Sequence, residues 1–212
     1  MLFLFSLVLI PFARADWIMF HADTTHSGVG TGNPVLTPAL LWNYATSNEV
    51  HSSPAVVGGV VYIGSYDQNV YALNANTGTK LWNYTTGDLV YSSPAVIGGT
   101  VYVGVDNGNV IALDAVNGTR LWHFTTGSAV YSSPVVVGGV VYVGSNDGNV
   151  YALNAANGAQ LWIFATGDVV HSSPAVVGSV VYVDSWDGNV YALGSSSKSS
   201  SLRHLLQFQN IQ

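Results

Sequence analysis

Four residues spaced 40 apart, His51, Tyr91, Tyr131 and His171, occupy one position just ahead of a repeated Ser-Ser-Pro. Two imidazoles and two phenols can stack on a planar group and exchange hydrogen bonds with it, and imidazole also titrates near neutral pH. Such a set suits a small polar ligand or a peptide, with Ser52, Ser92, Ser132 and Ser172 as hydroxyl-bearing neighbours. The competing reading is that the four side chains only plug a channel mouth or pack on adjacent repeats. Catalysis needs a nucleophile, a base and an orienting group, and no such set stands out. The serines fall in the repeated Ser-Ser-Pro, where a hydroxyl bond to backbone explains them, and His123 replaces Asn83 and Ile163 on a strand face.

A second series, Asp67, Asp106, Asn107, Asp147 and Asp187, lies in repeated turns. Each turn offers one or two carboxylates, whereas a calcium loop needs several converging oxygen ligands, so turn geometry before glycine is the expectation and no metal site is assigned. The chain has no Cys, and its single Glu is Glu49, so disulfides and thiolate metal sites are excluded. Acidic residues outnumber basic ones 11 to 5 with no basic cluster, which argues against nucleic acid as a partner. Asn83-Tyr84-Thr85 and Asn117-Gly118-Thr119 match the glycosylation pattern, a short pattern that arises often by chance.

The elements that must position these residues follow from a period. Shifted by 40 residues the chain aligns with itself without a gap, placing Trp42, Trp82, Trp122 and Trp162 in one column and Pro54, Pro94, Pro134 and Pro174 in another. Each unit reads as four short strands: β-branched and aromatic runs bounded by Gly, Asn and Asp. In the third copy these runs are residues 133–137, 140–144, 149–153 and 161–164, with turns at Gly138-Gly139, Asn146-Asp147-Gly148 and Ala156-Asn157-Gly158. Four antiparallel strands per unit in series describe the blade of a β-propeller rather than a solenoid of β-arches.

The motif AxNGxxLW at residues 115–122 and 155–162, with Thr77 for Asn in the copy at 75–82, resembles the tryptophan-docking repeat of pyrroloquinoline-quinone-type propellers. Together with SSPAVVGGVVYVGSNDGNVYALNA and the lead-in DWxMFHAD, the resemblance spans residues 16–194. It implies that each docking Trp lies flat on the neighbouring blade, where the motif Gly and Ala make room for it. Enzymes of the family bind the quinone and calcium with acidic ligands, a catalytic Asp and a vicinal Cys pair, none of which carries over to this chain. The expectation is therefore a non-enzymatic member with no cofactor. The family also includes a non-enzymatic propeller of the outer-membrane β-barrel assembly machinery, normally a lipoprotein, for which this chain lacks the Cys. A fragment of a quinone- and calcium-dependent dehydrogenase is the alternative.

The phase of the ends completes the reading. Residues 1–15, an apolar run closing on Ala13-Arg14-Ala15, read as a signal peptide for export to a periplasmic, cell-surface or extracellular location, the alternative being an uncleaved anchor that associates with a membrane. Residues 16–39 read as an irregular lead-in, 40–194 as propeller repeats and 195–212 as a Ser-rich disordered tail. Leu41-Trp42-Asn43-Tyr44 supplies a fourth strand with no preceding three, while the last copy supplies three with no fourth. Four blades closed by the N-terminal strand is thus the expected fold. An open arc, or half of an eight-bladed dimeric ring, is the alternative, leaving monomer or homodimer open, with an unidentified protein or small polar ligand as partner.

Overall fold

The structure is a computed structural model that describes residues 35–195. The signal peptide, most of the lead-in and nearly all of the tail lie outside the described residues. Valine, tyrosine and leucine runs broken every few residues by Gly, Asn or Asp form 15 antiparallel strands in four sheets. Blade 1 comprises β1 (Ala55–Val57), β2 (Val60–Gly64), β3 (Asn69–Asn74) and β4 (Lys80–Thr85). Blade 2 comprises β5 (Ala95–Ile97), β6 (Thr100–Gly104), β7 (Asn109–Asp114) and β8 (Arg120–Thr125). Blade 3 comprises β9 (Val135–Val137), β10 (Val140–Gly144), β11 (Asn149–Asn154) and β12 (Gln160–Ala165). Blade 4 comprises, among the described residues, β13 (Ala175–Val177), β14 (Val180–Asp184) and β15 (Val190–Gly194).

Each first hairpin turns on a residue pair at 58–59, 98–99, 138–139 or 178–179. Gly138 and Gly139 take φ of 58 and 79°, the left-handed pair that a tight primed turn requires. The second turn departs from expectation. Only Gly148 has positive φ, whereas Asp147 stays in the ordinary region and uses its carboxylate instead, accepting from the Asn149 amide at 3.0 Å and the Tyr151 hydroxyl at 2.6 Å. Asp67, Asp147 and Asp187 are thus braces of the turn rather than carriers of its backbone strain, and Asn107 takes that place in blade 2.

Blades stack through a docking device repeated along the chain. The Trp82 indole donates to Ala115 O at 3.0 Å and Trp122 donates to Ala155 O at 2.9 Å, so the polar edge of each buried ring is satisfied. Tyr62 and Tyr102 hydroxyls donate to the same two carbonyls at 3.1 and 3.2 Å, using the second lone pair. Gly118 and Gly158 lie beneath these rings; a Cβ on either would stand 2.6 Å from the indole. Trp42 docks identically on blade 1, donating to Ala75 O at 3.0 Å above Gly78.

The expected closure by residues 40–45 is not made. Residues 40–45 are not part of a strand, and among the described residues β15 has no outer partner, although Trp42 docks on blade 1 as the tryptophan of a preceding blade's last strand would. The described residues therefore form the open arc of the alternative expectation.

Candidate functional site

Connectors between blades and the second turns of all blades emerge at one end of the arc, and the His51 position sits on those connectors. The residues predicted from the sequence come together there as a continuous row of rings. His51 stacks on Tyr91 with centroids 5.6 Å apart, Tyr91 meets Tyr131 at 5.3 Å, and Tyr131 meets His171 edge-on at 5.0 Å. Two further rings extend the row. Tyr66 stacks on His51 at 4.3 Å, and Trp186 lies 4.4 Å from His171. Both occupy the turn position that is Asp106 and Asn146 in the middle blades, so only variation down that column could have signalled them in the sequence.

The row is accessible: Tyr91 is 43% and Trp186 65% exposed. The side chain of His51, itself exposed, places Nε2 2.7 Å from Glu49 Oε2. The Asp106 carboxylate, within hydrogen-bonding reach of the Tyr131 hydroxyl, acts with burial to push that phenol up to about 12. Burial, then the neighbouring Tyr91, Asp106 and Glu49, also raises Tyr66, while burial lowers His171. Lys80 and Arg120, the cations among the described residues, begin β4 and β8 at the opposite end. The mouth therefore combines aromatic faces with negative charge. Asn146 Oδ1, in the same turn column, is buried without a hydrogen-bond donor.

The neighbouring serines do something different from what their position suggests. Ser92 and Ser132 Oγ accept from Gly104 and Gly144 amides at 3.0 Å, and Ser52 exchanges two bonds with the Gly64 backbone, so this column pins the first strand to the second. The second serine of each pair stitches blade to blade. Ser53 N–H donates to Ser93 Oγ at 2.8 Å, Ser93 N–H to Ser133 Oγ at 3.0 Å, and Ser133 N–H to Ser173 Oγ at 3.0 Å. Their hydroxyls are structural.

The turn aspartates are likewise engaged. Asp147 Oδ2 accepts from the Gly127 amide on the preceding connector at 2.7 Å, and Asp187 Oδ2 does so from Gly167 at 2.7 Å. The Tyr191 hydroxyl, helped by the Asn189 and Gly167 amides, holds Asp187 below the usual carboxylate range; for Asp67 desolvation is the largest single influence and acts upward, but bonds from the Tyr71 hydroxyl and the Ser47 amide prevail and hold it low as well. Among the described residues no three carboxylates or imidazoles converge on one point.

Docked tryptophans, four repeated sheets and an axial mouth define a β-propeller of PQQ-like repeats. More particularly, the chain belongs to the family described as outer membrane protein assembly factor BamB, whose profile matches residues 35–96 and 86–200. No curated protein matches the sequence. Among solved structures it resembles BamB from Moraxella catarrhalis at 23% identity and a TM-score of 0.66, covering 73% of this chain and 49% of that one. Quinohemoprotein alcohol dehydrogenase from Comamonas testosteroni aligns at 22% identity and a TM-score of 0.70, covering 79% of this chain and 35% of that one. The computationally designed Ika4 protein aligns at 17% identity and a TM-score of 0.68, covering 76% of this chain and all of the designed one. The chain thus spans about half of the BamB structure and about a third of the dehydrogenase, and these likenesses concern the fold.

Proposed function

We propose that the chain is an exported binding and scaffold module of the cell envelope, without catalysis of its own, that takes its partner at the aromatic mouth. The observation that carries this reading is the unbroken row from Tyr66 through His51, Tyr91, Tyr131 and His171 to Trp186. The serines and docking tryptophans beneath the row hold strands and blades together, while the row itself varies between repeats where a partner can touch it. Rigid sheets fix the rings in advance, and binding energy is not spent on ordering them. Exposed ring faces beside Glu49 and Asp106 favour a cationic group, held by cation–π attraction and charge. The apolar leader at residues 1–15 and the family's description as an outer membrane assembly factor support the envelope location.

Titration with tetramethylammonium and with a Lys-rich peptide, read from the part of the tryptophan fluorescence that Trp186→Phe removes, tests the reading against an acidic peptide of equal length. Saturable quenching by the cations, lost in the His51→Ala, Tyr91→Ala, Tyr131→Ala, His171→Ala variant, is expected. Absence of any saturable change with wild type would reject a cation-binding mouth. A stoichiometric absorbance change with added pyrroloquinoline quinone and calcium, with dye-linked alcohol oxidation, would favour a dehydrogenase fragment instead.

A further inference from the structure

We propose that the middle of the aromatic row carries a notch for a guanidinium group, the arginine side chain of a protein partner, held by the Asp106 carboxylate against the faces of Tyr91 and Tyr131. The inference rests on the reading of the mouth as a cation site and names the cation. The repeat itself defines the notch. Tyr66, Asp106, Asn146 and Trp186 hold equivalent places, because each donates its backbone amide to the connector, on Glu49, Leu89, Ala129 and Val169 O respectively, at 2.9 to 3.0 Å. In the two outer places a planar ring follows: Tyr66 lies 4.3 Å from His51, and Trp186 lies 4.4 Å from His171. In the two inner places a short polar side chain stands instead, so Tyr91 and Tyr131 receive no ring of their own from that column.

The space left over the two tyrosines is bounded within the described blades. Tyr66 stands 6.1 Å from Tyr91 on one side, and His171 with Trp186 closes the other. Tyr91 and Tyr131 meet at 47° rather than face to face, which leaves ring surface open, and Tyr91 is 43% exposed.

Asp106 is the carboxylate available there. Asp67, Asp147 and Asp187 each accept from a backbone amide and a tyrosine hydroxyl, Asp88 accepts from the Leu89 amide at 2.8 Å, and Glu49 lies against His51. Asp106 accepts from no backbone amide among the described residues; it reaches the Tyr131 hydroxyl, and its charge is felt at Tyr66. Beside it Asn146 Oδ1 takes no hydrogen bond, so turning that amide over would offer a second acceptor to the notch. No cation of the described residues competes, since Lys80 is bonded to Asn83 and Arg120 to Tyr84 at the opposite end.

A planar site with a carboxylate at its edge separates one cation from the others. A primary ammonium is a compact, strongly hydrated point charge, and a quaternary ammonium has no N–H to donate. A guanidinium is flat, more weakly hydrated, stacks on aromatic faces and presents a fork of N–H donors to a carboxylate. It takes the place over the row that Tyr66 and Trp186 fill with their own rings. The notch is open along the row toward His51 and His171, so these rings meet the residues flanking an arginine in an extended chain, whereas a free guanidine leaves them untouched.

Titrations followed by amide chemical shifts of blades 2 and 3 test the assignment, with acetyl-Gly-Arg-Gly-amide, its Lys counterpart, methylguanidinium and tetramethylammonium as probes. The Arg peptide should bind on the order of tenfold tighter than the Lys peptide, and tighter than methylguanidinium. Asp106→Asn, which keeps the shape and removes the charge, and Asp106→Tyr, which fills the notch as Tyr66 fills its own place, should each bring the Arg-to-Lys ratio to about one. Glu49→Gln should weaken both peptides alike and keep the ratio. If tetramethylammonium binds and the Arg peptide is no tighter than the Lys peptide, the guanidinium notch is overturned while the cation-binding mouth stands; if no cation binds, both fall. A ratio unchanged in both Asp106 variants would also overturn the notch, and an Arg peptide no tighter than methylguanidinium would overturn its assignment to a protein partner.

Discussion

β11 and β15 carry the same four residues, Val-Tyr-Ala-Leu, in different surroundings. In β11 all four side chains are buried, because blades stand on both faces. In β15 Tyr191 and Leu193 are half-buried against blade 3, while Val190 and Ala192 face outward uncovered. Identical sequence with unequal burial shows that a blade does not bury itself: each sheet is a partner-dependent layer, and its composition states what should cover it. The same contrast separates Trp122, 8% exposed, from Trp162, which lies half-exposed over an open groove.

The contrast can be broken at several depths. Trp122→Ala should cost about 3–5 kcal/mol in urea unfolding, and Trp162→Ala about 1–2 kcal/mol; equal losses would mean that the two rings are docked alike. Gly104→Ala places a Cβ 2.4 Å from Val130 Cγ1 and should cost about 1–3 kcal/mol. Gly194→Ala, whose nearest neighbour is a backbone oxygen at 3.4 Å, should stay within about 0.5 kcal/mol. Ser133→Ala strips the buried Ser93 amide of its acceptor and should cost about 1–2 kcal/mol, while Ser53→Ala, at the open end of the ladder, should be close to neutral.

A pH dependence separates a covered sheet from an uncovered one in another way. Burial and the bond to Asp147 push the Tyr151 phenol from 10.0 to about 12, so its ionisation disfavours the folded state. The contribution is fully present below pH 10, where both states are protonated, and is lost as pH rises through about 12, because the unfolded chain releases its proton first. Tyr151→Phe should flatten the alkaline limb of a stability–pH curve; an unchanged slope would assign that limb to other groups.

Much of this was legible in the period alone. The 40-residue repeat placed the strands, the Gly-Gly hairpins and the docking tryptophans, because those residues answer to local turn chemistry and to a neighbour of identical type. The His51, Tyr91, Tyr131, His171 row was also visible, since a column that varies within an invariant frame stands out. Tyr66 and Trp186 were not, because their column holds four different residues and only folding shows that it flanks the row. Ser52, Ser92, Ser132 and Ser172 looked available and are spent on backbone, a distinction of a few ångströms that spacing does not encode. The repeat phase predicted that residues 40–45 would complete blade 4, but in the described residues they form no strand there.

Backbone hydrogen exchange in β15, followed beside β11, tests most directly whether burial and pairing come from neighbouring layers. The amides of β11 should be protected while those of β15 exchange rapidly. Equal protection of the two strands would contradict the account.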